Sequence, residues 1–364
     1  MDYEAVIEAQ LDSMDLSGLE DIMGDAAAGG GIFEGMTVDQ VINNLINGEA
    51  LFDSERIMDN LINLFLMEVK GSVFLGCEIL AICIVTGLLS NFSNTFGSKT
   101  VSSLGTMICG VVITALCISN FYQTYQYCQD TINTMTASME ILLPVMIPLL
   151  ISMGGISSGS IMSPAMAGAV TGFNFIMEHV ILPLVFLSAV FVMINSITEK
   201  DYVKKLSGFL RKGAIFLTGL IITVFTGITA LQGVVTKSAD GILINTARFS
   251  IDNFVPIVGG FAADSLDMVI SCIGLIKNAV GLIGILIIIS LLAVPVIKLL
   301  SIAVIYKVIA IAAEPVATRN ISDSLSEIGS AAVTMTVVLA TGAFMFLIFI
   351  TILMGMGGGG TWTS

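Results

Sequence analysis

The sequence predicts an all-α, polytopic membrane protein with about six to eight membrane segments, some of them broken or re-entrant. Three observations carry that prediction. Apolar residues make up 55% of the 364-residue chain and charged residues only 12%, where an ordinary globular domain has about a quarter charged. Mean hydropathy is +0.97. Two long stretches, Ile141–Met177 and Ile328–Ser364, contain no acidic or basic side chain. A bilayer accepts such runs as helices because a helix satisfies its own backbone N–H and C=O groups.

Charge divides the chain. Residues 1–69 hold fifteen acids against the single Arg56, whereas the remainder holds thirteen acids and thirteen bases, so the net charge of -14 resides at the N-terminal end. The predicted organisation is an acidic, helical, extracytoplasmic head (1–69), a polytopic membrane domain (70–357) and a flexible tail (358–364). Within the head, Val6, Ile7, Leu11, Met14 and Leu19 make a loose helical stripe, and Gly24–Gly31 reads as a linker. Thr37 with Gln40 forms a capping box ahead of Val41, Ile42 and Leu45. Another helix follows Asp53–Ser54.

Apolar runs at 73–92, 103–121, 141–155, 160–178, 180–197, 213–235, 279–297 and 331–354 are the expected membrane segments. About 20 helical residues cover roughly 30 Å of hydrocarbon. Segment 141–155 is short and carries Pro144 and Pro148; segment 160–178 is broken at Pro164. Together they read as a tight hairpin or a pair of half-helices. Ile302–Ala313 reads as a helix lying at the membrane interface and ended by Pro315. Cys128 is assigned to a polar loop.

Lys200, Lys204, Lys205, Arg211 and Lys212 crowd one connection. The positive-inside rule places it in the cytoplasm, which puts both the head and the C-terminus outside. A translocated head implies a cleaved leader ahead of Met1.

Three places combine polarity with membrane depth. In Met153–Ala167, the small residues Gly154, Gly155, Ser157 and Ser158 with Pro164 suit either a substrate-facing hairpin or a close-packed interface. In Phe254–Lys277, Pro256, Gly259 and Gly260 interrupt the run, and Asp264 and Asp267 share a helical face. They belong either to a re-entrant helix facing an aqueous path or to an interfacial helix facing water. Glu140, Glu178 and the sole histidine, His179, read as polar helix ends, with a proton relay as the alternative. The segments 141–155 and 251–260 both place Pro before Gly–Gly, a trace of internal pseudo-symmetry.

Enzyme chemistry finds no footing in the sequence. One histidine rules out HExxH and His-based zinc clusters, and no Walker A, nucleophile elbow or dinucleotide loop is present. Six scattered cysteines make no metal or disulfide pattern, and no basic cluster suits nucleic acid. No cofactor and no metal is expected.

An ordered set of motifs carries a family resemblance: LLPVMIPLLISMGGISSG (142–159), LQGVV (231–235), SADG (238–241), TARF (246–249), FVPIVGG (254–260), KNAVGLIG (277–284) and AAEP (312–315). Over roughly residues 37–357 the chain resembles the stage III sporulation protein AE family of endospore-forming Firmicutes. The resemblance implies a mother-cell membrane component of a channel or secretion-like complex facing the forespore. Its implied partners are the other stage III sporulation A proteins, including a secretion-type ATPase, and further copies of itself. Two readings follow. In one, the chain forms part of a conduit lined or gated by Pro144, Pro148, Gly154, Gly155, Ser157, Ser158, Pro164, Pro256, Gly259, Gly260, Asp264 and Asp267. In the other it is a platform that anchors ring proteins and recruits the ATPase through Lys200, Lys204, Lys205, Arg211 and Lys212 without conducting anything.

Overall fold

The structure is a computed structural model that describes residues 17–30, 37–47, 54–96, 99–153, 168–197, 203–254 and 259–356. The described residues form eight helices and no strand: α1 (Ser17–Gly30), α2 (Val38–Asn47), α3 (Ser54–Phe96), α4 (Lys99–Ser152), α5 (Gly168–Ile197), α6 (Lys204–Phe254), α7 (Gly259–Ala313) and α8 (Arg319–Gly355). Six of them, α3 to α8, contain a stretch long and apolar enough to cross a membrane. The chain is therefore an all-α polytopic membrane protein.

At the centre stand α7 and α8, an antiparallel pair joined by the short turn at Glu314–Thr318. Small residues let the two helices approach along their whole length. A Cβ placed on Gly281 would lie 2.4 Å from the Met354 side chain, and one on Gly329, near the opposite end, would lie 3.0 Å from the Ala303 carbonyl oxygen. Around the pair, α4 runs the full height. The Tyr306 hydroxyl of α7 donates to Asn120 Oδ1 at 3.1 Å, and Leu142 fills the space over Gly284. Helix α3 crosses the α7–α8 turn at Gly87, where an added Cβ would lie 1.8 Å from the Val316 carbonyl oxygen. No side chain fits there.

Helix α5 is wedged between α4, α6 and α8. Phe186 stacks on Phe121 with centroids 6.2 Å apart, and Phe173 meets Phe225 of α6 edge-on at 5.4 Å. One turn of it, Met177–Ile181, is π-helical just ahead of Pro183. Ahead of α3, α1 lays the buried Leu19 and Ile22 beside Leu142, Ile287 and Ile288. The capping box forms as expected: Thr37 N–H donates to Gln40 Oε1 at 3.2 Å, and Gln40 N–H donates back to Thr37 Oγ1 at 3.4 Å. Buried threonines other than Thr114 satisfy their hydroxyls on their own helix, as Thr86 does on the Ile82 carbonyl at 2.8 Å and Thr218 on Ala214 at 2.8 Å.

Helix continuity is where the structure departs from the sequence reading. The run 103–121 and residues 141–152 of the next run, expected as separate segments, share one helix, and the polar stretch between them is helical too; likewise residues 168–178 and the run 180–197 share α5. Cys128, expected in a loop, is buried on the inner side of α4. Ile302–Ala313, expected as a separate interfacial helix, is the last part of α7. Residues Gly24–Gly30, expected as a linker, continue α1. The predicted stripe Val6–Met14 lies outside the described residues.

Candidate functional site at the mouth of the bundle

The end of α5 and the starts of α6 and α8 meet at one end of the bundle. Residues spaced by a helical turn face one another there: Lys204, Ser207, Gly208 and Arg211 on α6, and Asn320, Asp323, Ser324 and Glu327 on α8. With Val192 and Asn195 of α5 they line a cleft of about 80 Å³.

Its floor is held by hydroxyls and an amide. Ser207 Oγ donates to the Ser188 carbonyl at 2.9 Å, and Ser324 Oγ to the Val192 carbonyl at 3.3 Å. Asn195, 7% exposed, accepts from the Val203 N–H at 3.3 Å and fixes the entry into α6. One turn further, Thr114 Oγ1 of α4 donates to the Met193 carbonyl at 3.2 Å. Each bond crosses between helices, so none is replaced by ordinary helix bonding.

Two ion pairs span the cleft. Arg211 Nη1 donates to Glu327 Oε2, and Lys204 Nζ lies 4.0 Å from Asp323 Oδ2. The Lys204 pair is more than half exposed on both sides, so it contributes on the order of 0.2–1 kcal/mol. The Arg211 side chain is 25% exposed, and its charge-assisted bond is the stronger of the two. The arrangement ties α6 to α8 by charge. Among the described residues no group of three or more His, Cys, Asp or Glu could hold a metal ion.

The basic connection therefore divides. Lys204 and Arg211 turn toward α8; Lys205 and Lys212, one residue later in each case, are exposed. Lys200 lies outside the described residues. Among the candidate path residues, Pro144 and Pro148 sit inside α4 and are exposed. Gly154, Gly155, Ser157, Ser158, Pro164 and Pro256 lie outside the described residues, and Gly259, Gly260, Asp264 and Asp267 fall in the first turns of α7. Glu178 accepts from Asn133 Nδ2 of α4 at 3.3 Å, while His179 stacks on Phe175 with ring centroids 4.4 Å apart.

Sequence reasoning missed the partners of the basic loop. Asp323 and Glu327 were visible as an i, i+4 pair on a helix, but nothing local says which helix opposes them. It also missed Lys277, which is 1% exposed and donates from Nζ to the carbonyl of Met356 just past the end of α8.

Residues 36–357 match the family described as stage III sporulation protein AE. The chain belongs to that family. Stage III sporulation protein AE of Bacillus subtilis (strain 168) is 31% identical over 303 residues, covering 83% of this chain and 76% of the relative. No solved structure matches. The mouth, the central helix pair and the capping box at Thr37 all lie inside the matched region. This family member is thus a sporulation protein built of membrane-crossing helices, and the family name states a stage of spore formation, not a catalytic activity.

Proposed function

We propose that this protein is a non-enzymatic membrane component of the complex linking mother cell and forespore, and that its bundle contributes to a conduit. The supporting observation is the charge-latched cleft at the mouth, where Arg211 and Glu327 join α6 to α8 above a polar floor. By the positive-inside rule this end faces the mother-cell cytoplasm. The acidic head and the C-terminus then face the intermembrane space. The path-lining or gating set remains the prolines, glycines, serines and aspartates of 141–164 and 256–267, and the partners are the other stage III sporulation A proteins, their ATPase and further copies of this chain.

The test is solute flux in liposomes reconstituted with the chain and its partner proteins. Flux that responds to Arg211→Glu and is restored by pairing it with Glu327→Arg supports the reading. Absence of flux with every partner present overturns it. The exposed pair Lys205 and Lys212 favours the platform reading: there, Lys205→Glu with Lys212→Glu abolishes assembly with the cytoplasmic partner while the Arg211–Glu327 exchange is silent.

A further inference from the structure

Past Asn120, the exposed face of α4 changes character. Before it, the large exposed side chains are apolar: Leu104, Met107, Ile108, Val111 and Val112. Beyond it, the exposed positions spaced by three and four residues read Gln126, Asp130, Asn133, Ala137, Glu140 and Pro144. No large apolar side chain interrupts this stripe. Pro148 extends it one turn further.

The stripe lies at the same depth as an oily face on the same molecule. Asn174 of α5 donates to Thr136 of α4, and its neighbour Phe173 packs against Phe225 of α6. Level with that contact, α6 exposes Phe216 (68%), Leu220 (46%), Val224 (43%), Ile228 (38%) and Leu231 (71%). The stripe from Gln126 to Pro144 rises about 27 Å and the α6 face about 22 Å. The two overlap in level, and the exposed apolar positions of α6 continue back through Phe209 to Leu206, so a hydrocarbon slab roughly 30 Å thick that covers the α6 face also takes in much of the stripe.

Lipid suits α6 and does not suit α4. Carboxylates such as Asp130 and Glu140 are costly against hydrocarbon. The prolines make an independent argument. Pro144 and Pro148 lack an N–H, so the carbonyls of Glu140 and Pro144 receive no helical bond, and both prolines are on the exposed side. Backbone left open at membrane depth is tolerated only where protein or water reaches it.

We infer that the α4 stripe from Gln126 to Pro148 faces water within the membrane and forms one wall of an aqueous path for small hydrophilic solutes, with cations preferred. The inference rests on the conduit reading and supplies its wall. Asp130 and Glu140 set the preference by raising the local concentration of positive species.

The experiment places single cysteines, Gln126→Cys, Asn133→Cys and Ala137→Cys on α4 and Phe216→Cys and Leu220→Cys on α6, in the full chain with its own cysteines removed. Membranes are treated with a cationic and an anionic methanethiosulfonate. The α4 positions should react at least about tenfold faster than the α6 positions. The cationic reagent should lead at Ala137→Cys, and Asp130→Asn with Glu140→Gln should erase that lead. Equal protection on both helices overturns the inference, as does protection on α4 accompanied by disulfide cross-links between copies, which makes the stripe a dry contact. Labelling needs no partner, so a labelled stripe without flux unseats the conduit and leaves the water-facing wall standing. Should a cysteine variant fail to accumulate, Ala137→Trp in a Trp362→Phe background reads the same property: quenching by aqueous acrylamide supports the wall, and quenching by brominated lipid overturns it.

Discussion

The two ends of the bundle are held by different forces. At the mouth, α5, α6 and α8 are joined by hydroxyls on carbonyls, one buried amide and two ion pairs. At the far end, α4, α7 and α8 interdigitate: Leu142 and Ile350 against Gly284, Met146 and Met354 against Gly281, Met153 against Gly274. Directional polar bonds have alternative partners in water and in one another, whereas close apolar packing has one arrangement. The mouth is therefore the end that can rearrange at low cost, and the far end is the fixed frame.

Breaking the frame should have the largest effect. Gly281→Leu, which drives a side chain into Met354 and Met146, should cost about 3 kcal/mol or more. The expected outcome is loss of most monodisperse protein in a thermal challenge in detergent. Next in size is Lys277→Met, which removes the donor to the Met356 carbonyl and should cost roughly 2 kcal/mol; a shift in thermal midpoint measures it, and an unshifted midpoint would show that the carbonyl finds another donor. At the mouth, Arg211→Ala should cost about 1–2 kcal/mol, with a double-mutant cycle through Glu327→Ala isolating the pair. Lys204→Ala should change stability by less than about 1 kcal/mol. A value as large as the Gly281 effect would erase the distinction between the ends. The smallest expected change is a gain. Ser290 Oγ is buried without a hydrogen-bond partner, so Ser290→Ala should be neutral or stabilising.

Much of the fold was legible because lipid imposes a simple rule. An apolar run in each of the six crossing helices, the stop at Pro315 and the Thr37 cap follow from hydropathy and local hydrogen bonding alone. What was not legible is continuity. A hydropathy window takes 122–140 for a loop, since Gln, Asp, Asn and Glu lower the average. Yet Cys128, Ile132, Met135 and Met139 recur at i, i+4, i+7 and i+11 and are all buried. Helical periodicity was present under a polar average. In the same way Lys307 made the end of α7 look interfacial, whereas its stem packs beside Gly329 while its charged end stays outside. For the site, the basic residues were visible in the sequence, but Asp323 and Glu327 oppose them from more than a hundred positions away, which no local pattern encodes.

The placement of α7 and α8 has a consequence for biogenesis. The pair that every other crossing helix leans on is synthesised last. While α3 to α6 enter the membrane, their future inner faces have only lipid and one another to meet. The amide oxygen of Asn120, which accepts from Tyr306 of α7, waits with them. A ribosome halted before residue 259 would leave four spans without the hairpin that each of them packs against.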